Sequence, residues 1–232
     1  MDIVYKTLVE SGFERVSNKS GLLVVHCVPG GGKSTVIRKL LAASRRFVAV
    51  TFGVPDPVTL SCERIRAVGE DLELLGGELL IVDEYCIGDW EALKPAILFG
   101  DPCQGVLSKV LRPDFIKTKT QRFGNATCTL LRSLGFQIES TQEDIVVFCT
   151  PFDFEPEGQI IALGQEACDL LNRHRVPFKK PCCIRGSTFS VVTLVTEFSH
   201  LSEVVSSELY QCLTRHRNKL IILNPDAAFS SN

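Results

Sequence analysis

Leu22-Leu23-Val24-Val25-His26-Cys27, then Val28-Pro29-Gly30-Gly31-Gly32-Lys33-Ser34-Thr35, then Val36-Ile37-Arg38-Lys39-Leu40-Leu41, is the stretch that decides the fold. An apolar run, a glycine-rich turn and a helix-like run follow one another directly. Strand, turn, helix is the context that makes a short glycine motif a phosphate site. Glycines let backbone N–H groups wrap phosphate oxygens, and the helix N-terminus adds a favourable dipole. Pro29, Gly30, Gly31, Gly32 and Thr35 are therefore expected to frame the phosphates of a nucleotide. Lys33 is expected to reach the β- and γ-phosphates, and the Ser34 hydroxyl to hold Mg²⁺. The usual G-x-x-x-x-G-K-[ST] spacing asks for glycine at 27, where this chain has Cys27, a residue small enough for the loop to survive. The plainer reading is a glycine-rich turn before a core helix.

Working outward, Leu79-Leu80-Ile81-Val82-Asp83-Glu84 is an apolar run ending in two carboxylates. It sets both acids at the C-terminal edge of a buried strand, where open α/β sheets bind ligands. Asp83 is expected to hold Mg²⁺, and Glu84 to orient and deprotonate an attacking water. Ile97-Leu98-Phe99-Gly100-Asp101-Pro102-Cys103-Gln104 repeats the pattern with an uncharged end group. Gln104 can sense a γ-phosphate without adding negative charge. Thr51, after an apolar run, opens Thr51-Phe52-Gly53-Val54-Pro55, a candidate nucleic-acid contact or a plain strand-to-loop turn.

The second half carries basic groups beside small hydroxyls. Lys117-Thr118-Lys119-Thr120-Gln121-Arg122-Phe123-Gly124 precedes a helix-like run, and Arg122 is a candidate partner of the triphosphate. Lys179, Lys180, Arg185 and Thr188 are candidate contacts to a single-strand backbone. Leu213-Thr214-Arg215-His216-Arg217 offers Arg215 as an arginine finger and Arg217 as a second nucleotide contact. Solvated loops and charges that complement a helix dipole are the plainer readings of these boxes.

The chain has 232 residues, enough for one large domain or two of about 110. Short apolar runs alternate with helical stretches, which argues for α/β with parallel sheets. Strands are expected over 22–27, 47–51, 78–82, 96–99, 145–149, 160–163, 189–195 and 220–223. Helices are expected over 4–10, 125–134, 165–173 and 201–213. The residues 108–122 read as the crossing between two domains, 1–115 and 116–232, and 227–232 as a frayed tail. A formal net charge of −2 leaves nucleic acid only local basic patches to bind. Ten cysteines, without C-x-x-C or zinc spacing and without a leading apolar signal stretch, read as reduced and mostly buried thiols. No run approaches the ~18–20 apolar residues of a membrane span.

In this order the boxes VPGGGKST, TFGVPD, VDEY, FGDPCQG, QRFG, RGSTF and LTRHR resemble those of the viral superfamily 1 RNA helicases. The short length and the opening MDIVYKTLVESGFERV resemble the first proteins of the triple gene block of carlaviruses and potexviruses. The resemblance implies two RecA-like P-loop domains with nucleotide in the cleft between them. It implies an ATP- and Mg²⁺-dependent RNA helicase-like NTPase that aids movement of viral RNA between cells and suppresses host RNA silencing. By family role, Lys33, Glu84, Gln104, Arg122 and Arg215 serve catalysis, and Thr51, Arg185 and Thr188 fall in RNA-contacting boxes. Implied partners are single-stranded viral RNA, coat protein, the two small membrane proteins of the same gene block, host silencing factors and a second copy of the chain. The implied location is the host cytoplasm, at plasmodesmata or inclusion bodies. The size leaves no room for the inserted domains of larger helicases, which questions efficient strand separation. Two other readings remain: an RNA-binding scaffold with a dispensable ATPase, and a P-loop kinase.

Overall fold

The computed structural model describes residues 1–19, 21–58, 60, 63–70, 77–105, 110–152 and 154–226. The chain forms two units, Met1–Thr118 and Lys119–Asn232. In the first, α1 (Asp2–Glu10) buries Val4 and Leu8, four residues apart on one face. Then come β1 (Glu14–Arg15), β2 (Leu23–Cys27), α2 (Lys33–Ala43), β3 (Phe47–Thr51), β4 (Arg66–Ala67), β5 (Leu79–Asp83), β6 (Ile97–Gly100) and β7 (Phe115–Lys117).

These strands form one sheet in the order β1-β7-β2-β6-β5-β3-β4. All its pairings are parallel except β1 with β7. Period-two alternation divides the side chains between two cores. Leu23, Val25, Ala49, Ile81, Ile97 and Phe99 pack with Val36, Ile37, Leu40 and Leu41 of α2. Val24, Val50, Leu80, Val82 and Leu98 pack on the opposite face with Tyr85. A sheet covered on both faces explains why these strands are continuous apolar runs.

The second unit holds α3 (Asn125–Ser133), β8 (Ile145–Cys149), β9 (Gln159–Leu163), α4 (Gln165–Arg173), β10 (Phe189–Thr196), α5 (Ser207–Leu213) and β11 (His216–Leu223). Its sheet is fully parallel, in the order β8-β11-β10-β9.

Several expectations need correction. The helix expected over 201–213 is a 3₁₀ turn, Leu201–Val204, followed by the separate α5. The reason is Ser206, whose side chain accepts from Leu209 N–H at 3.2 Å and starts a new helix. The strand expected at 220 begins at His216, because its first residues continue alongside β10. Phe115–Lys117, read as part of the crossing, is a strand paired with β2, so the first unit runs on to Thr118. The short strands β1 and β4 lack any apolar run to betray them. The tail 227–232 lies outside the described residues.

His216 and Asp144 bury their side chains completely and join the starts of β8, β11 and α3. Asp144 accepts from Ala126 N–H at 2.9 Å and from the Thr127 hydroxyl at 2.6 Å. His216 Nε2 lies 3.1 Å from Asp144 Oδ2 and 2.9 Å from Thr127 Oγ1. Burial works against the Asp144 carboxylate, yet bonds from His216 and Thr127 hold it below its ordinary range. Asp144→Ala removes the α3 cap and strips His216 of a buried partner. A loss of about 2–4 kcal/mol in denaturant unfolding is expected. A loss below about 0.5 kcal/mol, the size of an ordinary surface change, shows that the cluster is not stabilising.

Candidate nucleotide site

In the first sheet β2, β6 and β5 are neighbours, and each ends in one of the boxes. Their C-terminal edges therefore deliver the glycine loop, the Gly-Asp-Pro-x-Gln turn and the Asp-Glu pair to one side of one sheet. Topological adjacency, not closeness in sequence, assembles the site.

The loop turns on Gly32, the N-cap of α2 at φ 101°, a conformation open to glycine at little cost. Gly31 N–H bonds back to Val28 O at 3.0 Å. Pro29 and Gly31 are buried, Gly30 and Ser34 half-buried and Thr35 exposed. Lys33 opens α2 and is only 8% exposed. Its ammonium lies 3.5 Å from Glu84 Oε1 and donates to Cys27 O at 3.4 Å. Burial works against its charge, but Glu84, Cys27, Asp101 and Asp83 outweigh burial and raise its pKa. The Cys27 thiol is pushed up to about 11, chiefly by burial, so it sits there as a small neutral group.

Asp83 is buried at the end of β5 and accepts from Glu84 N–H at 3.0 Å. Burial first, and Glu84 second, push its carboxyl up to about 7. Thr51 pairs across the sheet with Asp83 and is 3% exposed, and its hydroxyl accepts from Gly53 N–H at 2.9 Å. It shapes the turn after β3 from an enclosed position. Asp101, which the sequence reading left without a role, is buried and accepts from Cys103 N–H at 3.1 Å and from Gln104 Nε2 at 2.8 Å. It fixes the orientation of Gln104. The proline after it, which starts a 3₁₀ turn (Pro102–Gln104), was the available signal.

In the second unit Arg122 donates to Thr214 O at 3.1 Å, which brings it to the turn that carries Arg215. Arg215 is 3% exposed and Arg217 is exposed at the start of β11. Lys179, Lys180 and Arg185 are exposed and Thr188 is half-buried, along one segment beside β9. The Lys179 ammonium stands 5.2 Å over the Phe189 ring. Among the described residues nine cysteines are free, five of them buried. No group of three or more His, Cys, Asp or Glu among them is placed to hold a metal by itself. No helix among them is long and apolar enough to cross a membrane.

A mainly parallel sheet that brings these three turns to one edge defines the RecA-like architecture of a P-loop protein. Residues 23–224 match the viral superfamily 1 RNA helicase core domain, and the chain belongs to that family. It is 45% identical over 231 residues to the movement and silencing protein TGBp1 of Poplar mosaic virus (isolate ATCC Pv275), covering 99% of both chains. It is 41% identical over 232 residues to the protein of that name from Chrysanthemum virus B, covering 100% of both. With that of Potato virus X (strain HB) the identity is 36% over 222 residues, 94% of this chain and 96% of the other. An arterivirus nonstructural protein 10 helicase solved with DNA superposes at a TM-score of 0.60 and 19% identity. The match covers 94% of this chain and 62% of that one, and at this identity it is a likeness of fold.

The raised Asp83 carboxyl has a consequence for stability. Between its ordinary value of 3.8 and about 7 the folded chain holds a proton that the unfolded chain has released. Ionised Asp83 therefore destabilises the nucleotide-free fold progressively as pH rises through that window. Asp83→Asn keeps the oxygen that caps Glu84 and loses the charge. Its stability advantage over the unaltered chain is expected to widen from pH ~4 to ~7, by at most about 1.4 kcal/mol per unit, and then stay level. Chemical denaturation across pH measures it; a gap independent of pH rules out the buried charge.

Proposed function

We propose that this chain is an RNA-binding, Mg²⁺-dependent nucleoside triphosphatase whose hydrolysis serves cell-to-cell movement of viral RNA and suppression of host RNA silencing. One observation carries the reading: Lys33 at the start of α2, held by Glu84 3.5 Å away. These two groups neutralise each other across that distance. A γ-phosphate gives Lys33 a stronger anionic partner, which frees the Glu84 carboxylate to orient a water and accept its proton. Gln104, aligned by Asp101, adds an uncharged hydrogen-bonding group on the same sheet edge. The loop N–H groups bind phosphate oxygens, and Lys33 stabilises charge that grows as the bond breaks.

The donor set suits a hard cation. Asp83 and Ser34 offer oxygen ligands of the kind Mg²⁺ takes alongside phosphate oxygens. Burial first and Glu84 second raise the Asp83 carboxyl, and a cation beside it would favour its charged form. Mg²⁺, when bound, neutralises the phosphate oxygens during transfer.

Relatives named for movement and silencing along their whole length support the biological half of the reading. Single-stranded viral RNA is the substrate that fits it, along Lys179, Lys180, Arg185 and Thr188. The host cytoplasm and its plasmodesmata are the place of action that goes with it.

Phosphate release from the purified chain, with and without single-stranded RNA, tests the proposal. Lys33→Ala is expected to lower turnover by about a hundredfold or more while circular dichroism keeps the folded signal. Turnover at the unaltered rate sinks the site; lost turnover with movement and silencing suppression intact favours an RNA-binding scaffold instead. For RNA, Lys179→Glu together with Lys180→Glu is expected to weaken binding evenly across sequences. Each lost phosphate contact should also flatten the salt dependence by about 0.7 in log–log slope. An unchanged slope removes these two lysines from the RNA path.

A further inference from the structure

Glu84 stands in the left-handed backbone region, at φ 55° and ψ 38°. A residue with a side chain adopts that conformation at a cost, and it persists only where neighbours over-determine it. Asp83 holds the Glu84 N–H and Lys33 faces its carboxylate. Ile87 N–H bonds to the Glu84 carbonyl at 3.1 Å, and the next residue adds a further constraint. Tyr85 is completely buried, and its side chain meets His26 of β2, Gly100 of β6 and Trp90. The ring stacks on His26, with centroids 5.9 Å apart and planes 18° apart, and meets Trp90 edge-on at 6.2 Å. It also lies flush against Gly100, where a Cβ would come within 2.7 Å of the Tyr85 ring. Only glycine at 100 leaves that space. The Tyr85 hydroxyl shares a 2.7 Å hydrogen bond with His26 Nε2.

His26 is the penultimate residue of β2, directly before the glycine loop. One phenol thus links the strand under the phosphate loop, the Asp-Glu turn and the start of the Gly-Asp-Pro-x-Gln turn. We propose that Tyr85 is a positioning residue of the nucleotide site, anchored by its hydroxyl to His26 and by its ring to Gly100, and that it holds Glu84 in the conformation that directs its carboxylate to Lys33. The inference rests on the hydrolysis reading above. Both partners stay neutral: burial pushes the phenol up, and burial with the Lys33 charge holds His26 down at about 4. The link therefore adds no charge to the site near neutral pH.

Steady-state phosphate release from the unaltered chain, Tyr85→Phe, His26→Ala, the double variant and His26→Gln tests it. Tyr85→Phe keeps the ring and loses only the hydroxyl. It is expected to lower kcat by about three- to tenfold, with KM within about twofold, because a hydrogen bond of ordinary strength is lost and binding contacts are untouched. His26→Ala, which also loses the ring stacking, is expected to lower kcat at least as far, and the double variant to fall by less than the product of the two single losses, since the shared hydrogen bond is removed in both. His26→Gln, which can still bond the hydroxyl, is expected to recover most of the loss. Tyr85→Phe at the unaltered kcat, losses that multiply in the double variant, or a change confined to KM or melting temperature each overturns the inference. Absence of hydrolysis by the unaltered chain overturns the hydrolysis reading and this inference with it; hydrolysis equal in Tyr85→Phe overturns this inference alone.

Discussion

One buried ammonium organises the first unit. Lys33 sits among Glu84, Asp83 and Asp101, so a single cation faces three acidic side chains in a place water hardly reaches. Charges are costly there unless paired. The imbalance is visible in the carboxyls: Asp83 and Asp101 are both raised, burial being the larger cause in each. A stability-optimised protein would not keep this arrangement. Under the proposed function the arrangement has a use: a bound cation would offset the excess acid, and a phosphate would take Lys33 over from Glu84.

The sheet makes this concentration possible. Parallel strands send their C-terminal ends the same way, and β2, β6 and β5 stand side by side although their boxes span residues 27 to 104. Apolar side chains on both faces of those strands exclude water right up to the edge. The chemistry begins where the apolar runs stop: Asp83 is the last residue of β5, and Asp101 follows β6 directly. Asp101 and Tyr85 then do local work, the first turning Gln104 and the second fitting against Gly100 and His26.

The second unit uses the same architecture for other ends. Its polar centre, His216 with Asp144 and Thr127, is enclosed and ties three elements together. His216 is thereby accounted for by structure, although it lies in the box with Arg215 and Arg217. Exposed Lys179, Lys180 and Arg185 lie along 179–185, where Lys179 is steadied over the Phe189 ring and an electrostatic contact can form without a buried charge.

Much of this was legible in the residue order. Runs such as Phe47–Thr51 and Ile97–Gly100 declare parallel strands because a doubly covered sheet leaves no polar face to interrupt them. The glycine loop, the Asp-Glu pair and the Gly-Asp-Pro-x-Gln turn declare themselves because phosphate chemistry restricts the residue types that can serve it. Short edge strands such as β4 are set by pairing alone and leave no such pattern. The sequence by itself determined most of the longer strands and helices and which chemical groups are on hand, since both depend on local spacing and residue type. Only the tertiary structure decided that Thr51 is enclosed, that Asp101 serves Gln104, that His216 belongs to a buried knot and that Tyr85 joins three distant boxes. Those are matters of burial and of contacts between residues far apart in the chain, and they exist only once the sheets are packed.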